Sequence, residues 1–165
     1  MNPEAVLHVL AALEGAGLRG RVDGGWGVDA LLERVTRAHD DLDLVVEHEE
    51  CDQVIDVLLR GGFRVELDEP GHVVLEHAEL GRVDLHPVTF DGFGNAVQVQ
   101  PGDSPVVYPG EGFVAGSIDG CAVPCLSAEV QLRRMAFERS AKHRRDVTAL
   151  CDSFGIEVPP GWLEV

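Results

Sequence analysis
Apolar positions recur along this chain at two different periods, and the change from one to the other marks out its elements. Between residues 3 and 16, Val6, Leu7, Val9, Leu10 and Leu13 fall at helical spacing and Gly15 and Gly17 follow as stop signals, so an amphipathic helix packed on a sheet is expected. A short apolar segment, Arg21-Val22, runs into Asp23-Gly24-Gly25, and a helix-like stretch spans residues 26–33. Residues 40–46 alternate instead, as a strand with one buried face does. A second helix is expected at 49–60, ended by Gly61-Gly62, then strands near 63–67, 73–77 and 82–86. Residues 90–104 read as a connection rich in Gly and Asp with a short strand at 96–99. Residues 112–123 alternate around an Asp119-Gly120 turn, as a hairpin would. Two helices, 127–138 and 142–154, close the chain, with Ser127 as N-cap and Glu129 in the first turn.

The polar residues of these elements carry the chemistry. In a strand at 40–46, Asp41 and Asp43 project together while Leu42 and Leu44 point the other way, and Asp40 faces away as a structural residue. Two hard anionic ligands on one face suit Mg²⁺, which binds one or two carboxylates and leaves its other positions to water and phosphates. Strand, Gly24-Gly25 turn and helix expose backbone N–H groups at a helix N-terminus, where the partial positive charge favours phosphate. Alternation in 82–86 puts Arg82, Asp84 and His86 on one face, with Val83 and Leu85 on the other. Each signal alone has an ordinary alternative: a Gly-Gly turn, or acidic residues solvated at a strand end. Their succession is the stronger pointer, to metal-dependent nucleotidyl transfer.

The stretch from Gly24-Gly25-Trp26 through Thr36-Arg37-Ala38-His39-Asp40-Asp41-Leu42-Asp43 to Leu44 resembles the antibiotic nucleotidyltransferases of the DNA polymerase β-like superfamily, in particular the aminoglycoside 2''-adenylyltransferase and lincosamide nucleotidyltransferase group. The likeness is dense over residues 22–46, recurs at Gly81-Arg82-Val83-Asp84-Leu85-His86-Pro87 and fades towards the C-terminus. It implies an α/β (α+β) fold, with a mixed twisted sheet flanked by helices. Residues 1–125 would form the nucleotidyltransferase core, and 126–165 a C-terminal helical segment packed on it. It implies Asp41, Asp43 and Asp84 as a set of catalytic metal ligands for Mg²⁺, two ions being expected, with Asp84 also the base for the acceptor hydroxyl. ATP is the expected co-substrate, its phosphates at Gly24 and Gly25. Arg37 could touch the triphosphate or simply cap a helix end; His39 could orient Asp41 or a phosphate, or bond locally. Lys142 sits i, i+4 from Asp146, where an ordinary helix ion pair is expected, and the family likeness adds a nucleotide contact. Trp26 is expected in the core.

Composition narrows the partners. At 165 residues, 45% of them hydrophobic, and with a mean hydropathy of +0.03, the chain suits one soluble globular domain. It has neither an apolar run of ~20 residues nor a basic N-terminal region, so no membrane and a cytoplasmic location are expected. Thirteen basic against twenty-nine acidic residues give a net charge of −16, which repels nucleic acid and disfavours a nuclease. The basic residues Arg133, Arg134, Arg139, Lys142, Arg144 and Arg145 are interspersed with apolar ones, as on a helix surface. An acidic cleft would attract a polycation, which favours an aminoglycoside acceptor; Glu66, Asp68, Glu69 and Glu76 are candidates for its wall, or solvated strand ends. A lincosamide acceptor, a protein acceptor and a non-catalytic nucleotide-binding relative are the alternatives. Cys51, Cys121, Cys125 and Cys151 have no ligand spacing and read as reduced, mostly buried thiols.

Overall fold
The computed structural model describes residues 1–99, 105–136, 140–160 and 162. Helix α1 (Pro3–Gly15) starts where the Asn2 side chain accepts from the Ala5 N–H. Strand β1 (Arg21–Asp23) leads into α2 (Gly24–Leu32), which begins at the glycine pair, two residues before the expected start. Glu33 ends α2 in the left-handed conformation, and β2 (Asp41–Glu47) follows. A 3-10 turn precedes α3 (Cys51–Arg60). Then come β3 (Arg64–Glu69), β4 (His72–His77) and β5 (Gly81–Phe90). The expected connection carries its expected short strand, β6 (Ala96–Gln98), and beyond it lies a second that was not expected, β7 (Val106–Tyr108). The hairpin is β8 (Phe113–Ile118) and β9 (Cys121–Leu126), longer than expected, and α4 (Ala128–Met135) and α5 (Ala141–Phe154) complete the chain. The expected end of the penultimate helix, at 138, lies outside the described residues.

The strands form one mixed sheet in the order β3-β4-β5-β2-β1-β9-β8, with β6 on β5 and β7 on β6. β2 runs parallel to β5 and antiparallel to β1. One face is apolar: Leu42, Leu44 and Val46 are fully buried against Val6, Val9 and Leu13 of α1 and Val54 and Leu58 of α3. Burying each such side chain contributes roughly 1.5–3 kcal/mol, so the period-two pattern leaves β2 no alternative register. Asp41 and Asp43 are thereby forced to the opposite face, where Val45 is buried in a separate cluster with Val88, Tyr108 and Leu126. α2 joins two cores. Trp26, 2% exposed, packs into the first as expected, while Val28 packs with Leu132 and Met135 of α4, Val147 and Leu150 of α5, and Trp162. Among the described residues no helix is long and apolar enough to cross a membrane.

All four cysteines are free; three are buried and Cys121 is exposed. Burial pushes the Cys51 and Cys125 thiols up to about 11.

Candidate active site
Sheet register assembles the site. Asp43 lies opposite Asp84 on β5 and Asp23 on β1, and Asp41 lies opposite Arg82. Directly paired residues share a face, so Asp23, Asp41, Asp43, Arg82, Asp84 and His86 converge on the side away from α1 and α3. Together with Gly24, Gly25, His72 of β4, Gln131, Arg134 and Met135 of α4, and Lys142 and His143 of α5, they line one cleft.

The glycine turn closes one wall. Asp23 is the N-cap of α2, its carboxylate accepting from the Gly24 N–H at 2.7 Å. Gly24 has φ +59, and a Cβ there would fall on Asp43 Oδ2, so both its conformation and its contact demand glycine. A Cβ on Gly25 would collide with the His39 ring and come within 2.6 Å of Arg37 Nη2. Arg37 and His39 thus stand behind the turn, and neither lines the cleft. Arg37 binds Asp146 through Nε (3.1 Å) and Nη2 (2.8 Å) and donates to the Ala38 carbonyl. His39 Nε2 is 2.5 Å from Asp29 Oδ2, local bonding that leaves Asp41 to others. Asp29 also accepts from the Thr36 N–H and hydroxyl, which closes the loop between α2 and β2.

Three sets of charged residues lie elsewhere than expected. Lys142 does not hold Asp146: that carboxylate is taken by Arg37 across the fold, and Lys142 faces the cleft aspartates. Arg134 is no helix-surface residue, since its Nε lies 2.5 Å from the buried Asp23 and its Nη1 donates to the Tyr108 hydroxyl at 2.6 Å. Of the expected acidic wall, Asp68 is turned away: past a bulge between Val65 and Leu67 it pairs with Val73 and lies near Cys51 on the α3 side. Glu69, opposite His72, and Glu76, opposite Arg82, are on the cleft face of the sheet, but none of Glu66, Asp68, Glu69 and Glu76 lines the cleft itself.

The carboxylates are held differently. Burial, then the charges of Asp43 and Asp84, raise the Asp41 pKa. Burial pushes Asp43 up as well, but the hydrogen bond from His86, with the charges of Arg134 and Lys142, outweighs it and holds Asp43 below the usual range. His86 Nε2 is 3.1 Å from Asp43 Oδ1. Asp84 is gripped by Arg82, Nε to Oδ1 at 2.8 Å and Nη2 to Oδ2 at 2.9 Å, which raises the Arg82 pKa. His72 Nε2 lies 3.6 Å from Asp84, its ring stacked on His86 at 5.5 Å.

The residues fit a divalent cation in kind. Three carboxylates crowd one open face, and their repulsion is visible in Asp41. As they stand, Asp43 and Asp84 are turned to His86 and Arg82, and among the described residues no three His, Cys, Asp or Glu side chains gather closely enough to hold an ion. For Asp84 to face an ion, the two bonds from Arg82, whose side chain is 48% exposed, would have to open. Gln131 adds a second sign of a ligand: its buried amide lines the cleft with neither N nor O satisfied.

Asp23, His72, Gln131, Arg134 and His143 were not singled out from sequence. For Asp23 the signal was present, as the acidic residue capping the glycine turn. The others reach the cleft from separate elements, and no local spacing announces them.

The sequence profile of the aminoglycoside-2''-adenylyltransferase family matches residues 5–150. A lincosamide resistance protein of Staphylococcus haemolyticus is 32% identical over 112 residues, 67% of this chain and 70% of its own length. A 2''-aminoglycoside nucleotidyltransferase of Escherichia coli is 41% identical over a shorter stretch of 63 residues, 36% of this chain and 35% of the relative. Among solved structures, a lincosamide antibiotic adenylyltransferase with lincomycin bound superposes with a TM-score of 0.81 at 26% identity, covering 93% of this chain and 97% of that one. The chain belongs to the aminoglycoside-2''-adenylyltransferase family, nucleotidyltransferases of the polymerase β-like fold.

Proposed function
We propose that this protein transfers a nucleoside monophosphate from Mg²⁺-ATP to a hydroxyl of a small-molecule antibiotic and releases pyrophosphate. The observation that carries the reading is the register of β1, β2 and β5, which sets Asp41, Asp43 and Asp84 on one face beside the Gly24-Gly25 turn. Asp41, Asp43 and Asp84 would hold the metal, which when bound supplies charge neutralisation at the reacting phosphate and polarises the acceptor oxygen. The N-terminus of α2 offers its dipole and the N–H groups after Gly24, whose own hydrogen is taken by Asp23, to the phosphates, and Lys142 and Arg134 add positive charge on the facing helices. Asp84, released from Arg82, takes the proton of the attacking hydroxyl at a carboxylate oxygen; a placed base contributes typically 10²–10⁴-fold. Positioning and electrostatics do the remainder, as expected of phosphoryl chemistry.

Acceptor choice turns on charge. In the cleft Asp23, Asp41, Asp43 and Asp84 are offset by Arg82, Arg134 and Lys142, and none of Glu66, Asp68, Glu69 and Glu76 lines it. This balance favours a lincosamide over an aminoglycoside, and the broad match to the lincosamide resistance protein supports the same choice. An acceptor screen with Mg²⁺-ATP, scored by pyrophosphate release and product mass, tests it. Lincosamide ester formation is expected; efficient modification of aminoglycosides alone would reverse the acceptor assignment, and turnover with neither class would remove the antibiotic reading.

A further inference from the structure
A line of hydrogen bonds, buried at its middle, runs from α4 to Asp43. Arg134 Nη1 donates to the Tyr108 hydroxyl at 2.6 Å, and that hydroxyl donates to Gln98 Oε1 at 2.7 Å. Gln98 Nε2 donates to the Gly71 carbonyl at 2.9 Å and lies 3.3 Å from His86 Nδ1. His86 Nε2 meets Asp43 Oδ1. Tyr108 is fully buried and Gln98 is 1% exposed, and neither lines the cleft.

The direction of this line is fixed at its far end. A guanidinium only donates, so the Tyr108 oxygen accepts from Arg134 and its single hydrogen goes on to Gln98. Gln98 therefore presents oxygen to Tyr108 and nitrogen to the Gly71 carbonyl, which settles the amide orientation on chemical grounds. Its N–H₂ group has two hydrogens and no lone pair to give. With one hydrogen on Gly71, the other is directed at His86 Nδ1, which must accept. The ring's own hydrogen is then on Nε2, pointing at Asp43.

We infer that Gln98, oriented by Tyr108 and Arg134, is a positioning residue that fixes His86 as the Nε2–H tautomer, so that Asp43 always receives a hydrogen bond on Oδ1 and is held in one rotation beside Gly24. The strands that carry Gln98 and Tyr108, β6 and β7, thereby act on a carboxylate they do not touch. This inference rests on the nucleotidyl-transfer reading for its catalytic consequence, but not for the tautomer.

The test pairs a spectroscopic and a kinetic readout on the full chain. Gln98→Met keeps the side-chain length and removes both amide functions, and Tyr108→Phe removes only the hydroxyl that orients Gln98. Long-range ¹H–¹⁵N correlation spectra of the histidine rings report which nitrogen carries hydrogen, with His86 assigned by its loss in His86→Gln. The wild type should show His86 as Nε2–H, and Gln98→Met should show a mixture of tautomers. In that variant kcat should fall about 10–100-fold, the usual cost of losing a residue that supports a ligand from behind, while KM for the nucleotide stays within about twofold. Tyr108→Phe should move both readouts the same way by less; it carries the test if Gln98→Met does not fold. Nδ1–H or doubly protonated His86 in the wild type, or unchanged His86 signals in a folded variant, overturns the inference. Absence of nucleotidyl transfer by the wild type would defeat the functional reading and leave the tautomer result standing.

Discussion

Replacing Arg37 by methionine should destabilise the protein while leaving nucleotide affinity nearly intact. Its guanidinium makes two bonds to Asp146, whose side chain is only 2% exposed, and so pins α5 to the loop ahead of β2. Methionine keeps most of the packing and strands the carboxylate. Breaking a buried ion pair from one side costs about 3–5 kcal/mol; Arg37 is itself 17% exposed, so water reaches the vacated place and the lower end, about 3 kcal/mol, applies. At about 2–4 °C per kcal/mol for a chain of this size, Tm should drop by roughly 6–12 °C. Adding Asp146→Leu to the variant should restore most of the loss, because two apolar groups replace an uncompensated charge. Thermal melts and urea titrations of the two single variants and the double variant measure this coupling. A melt within about 2 °C of wild type for Arg37→Met, joined to a large rise in KM for the nucleotide, would refute the reasoning and return Arg37 to the triphosphate.

Gly24→Ala should abolish turnover in a folded protein, since the new methyl group must displace Asp43 as well as adopt φ +59; activity assays alongside circular dichroism check it. Asp41→Asn should raise Tm of the metal-free protein at neutral pH. The folded-state pKa of Asp41 is raised, by burial first and then by its acidic neighbours, so its penalty is absent in acid and sets in as pH climbs from the ordinary 3.8 through the folded value. The gain should vanish in melts below about pH 3.8, and a gain that persists there would contradict the assigned cause. Asp84→Asn should lower turnover severely while sparing Mg²⁺-ATP binding more than Asp43→Asn does, by calorimetric titration with a non-hydrolysable analogue. Equal loss of binding would make Asp84 chiefly a metal ligand.

How much of this was legible in the sequence depended on whether a residue's role is set locally. Alternation in β2 and β5 placed Asp41, Asp43 and Asp84 on shared faces because a strand side chain has only two directions to choose from. Period could not tell which strand lies beside which, so Asp23 opposite Asp43 and Asp68 on the far face emerged only with the register. Arg37 and Asp146 are separated by 109 positions, and a helix reading naturally gave Asp146 to Lys142 four residues away. A short strand at 96–99 was expected, but β7, three residues long, is too short to show an alternating pattern, and neither strand announced that Gln98 and Tyr108 would be carried into the interior.

The account stands or falls on whether the three-aspartate face performs nucleotidyl transfer. Single-turnover reaction of excess enzyme with Mg²⁺ and α-labelled ATP, in the presence of a lincosamide, compares the wild type with Asp43→Asn under matched folding. The account predicts a labelled nucleoside monophosphate ester of the antibiotic with the wild type, stoichiometric pyrophosphate, and no ester with Asp43→Asn. Ester formation by Asp43→Asn at a rate near that of the wild type would contradict it.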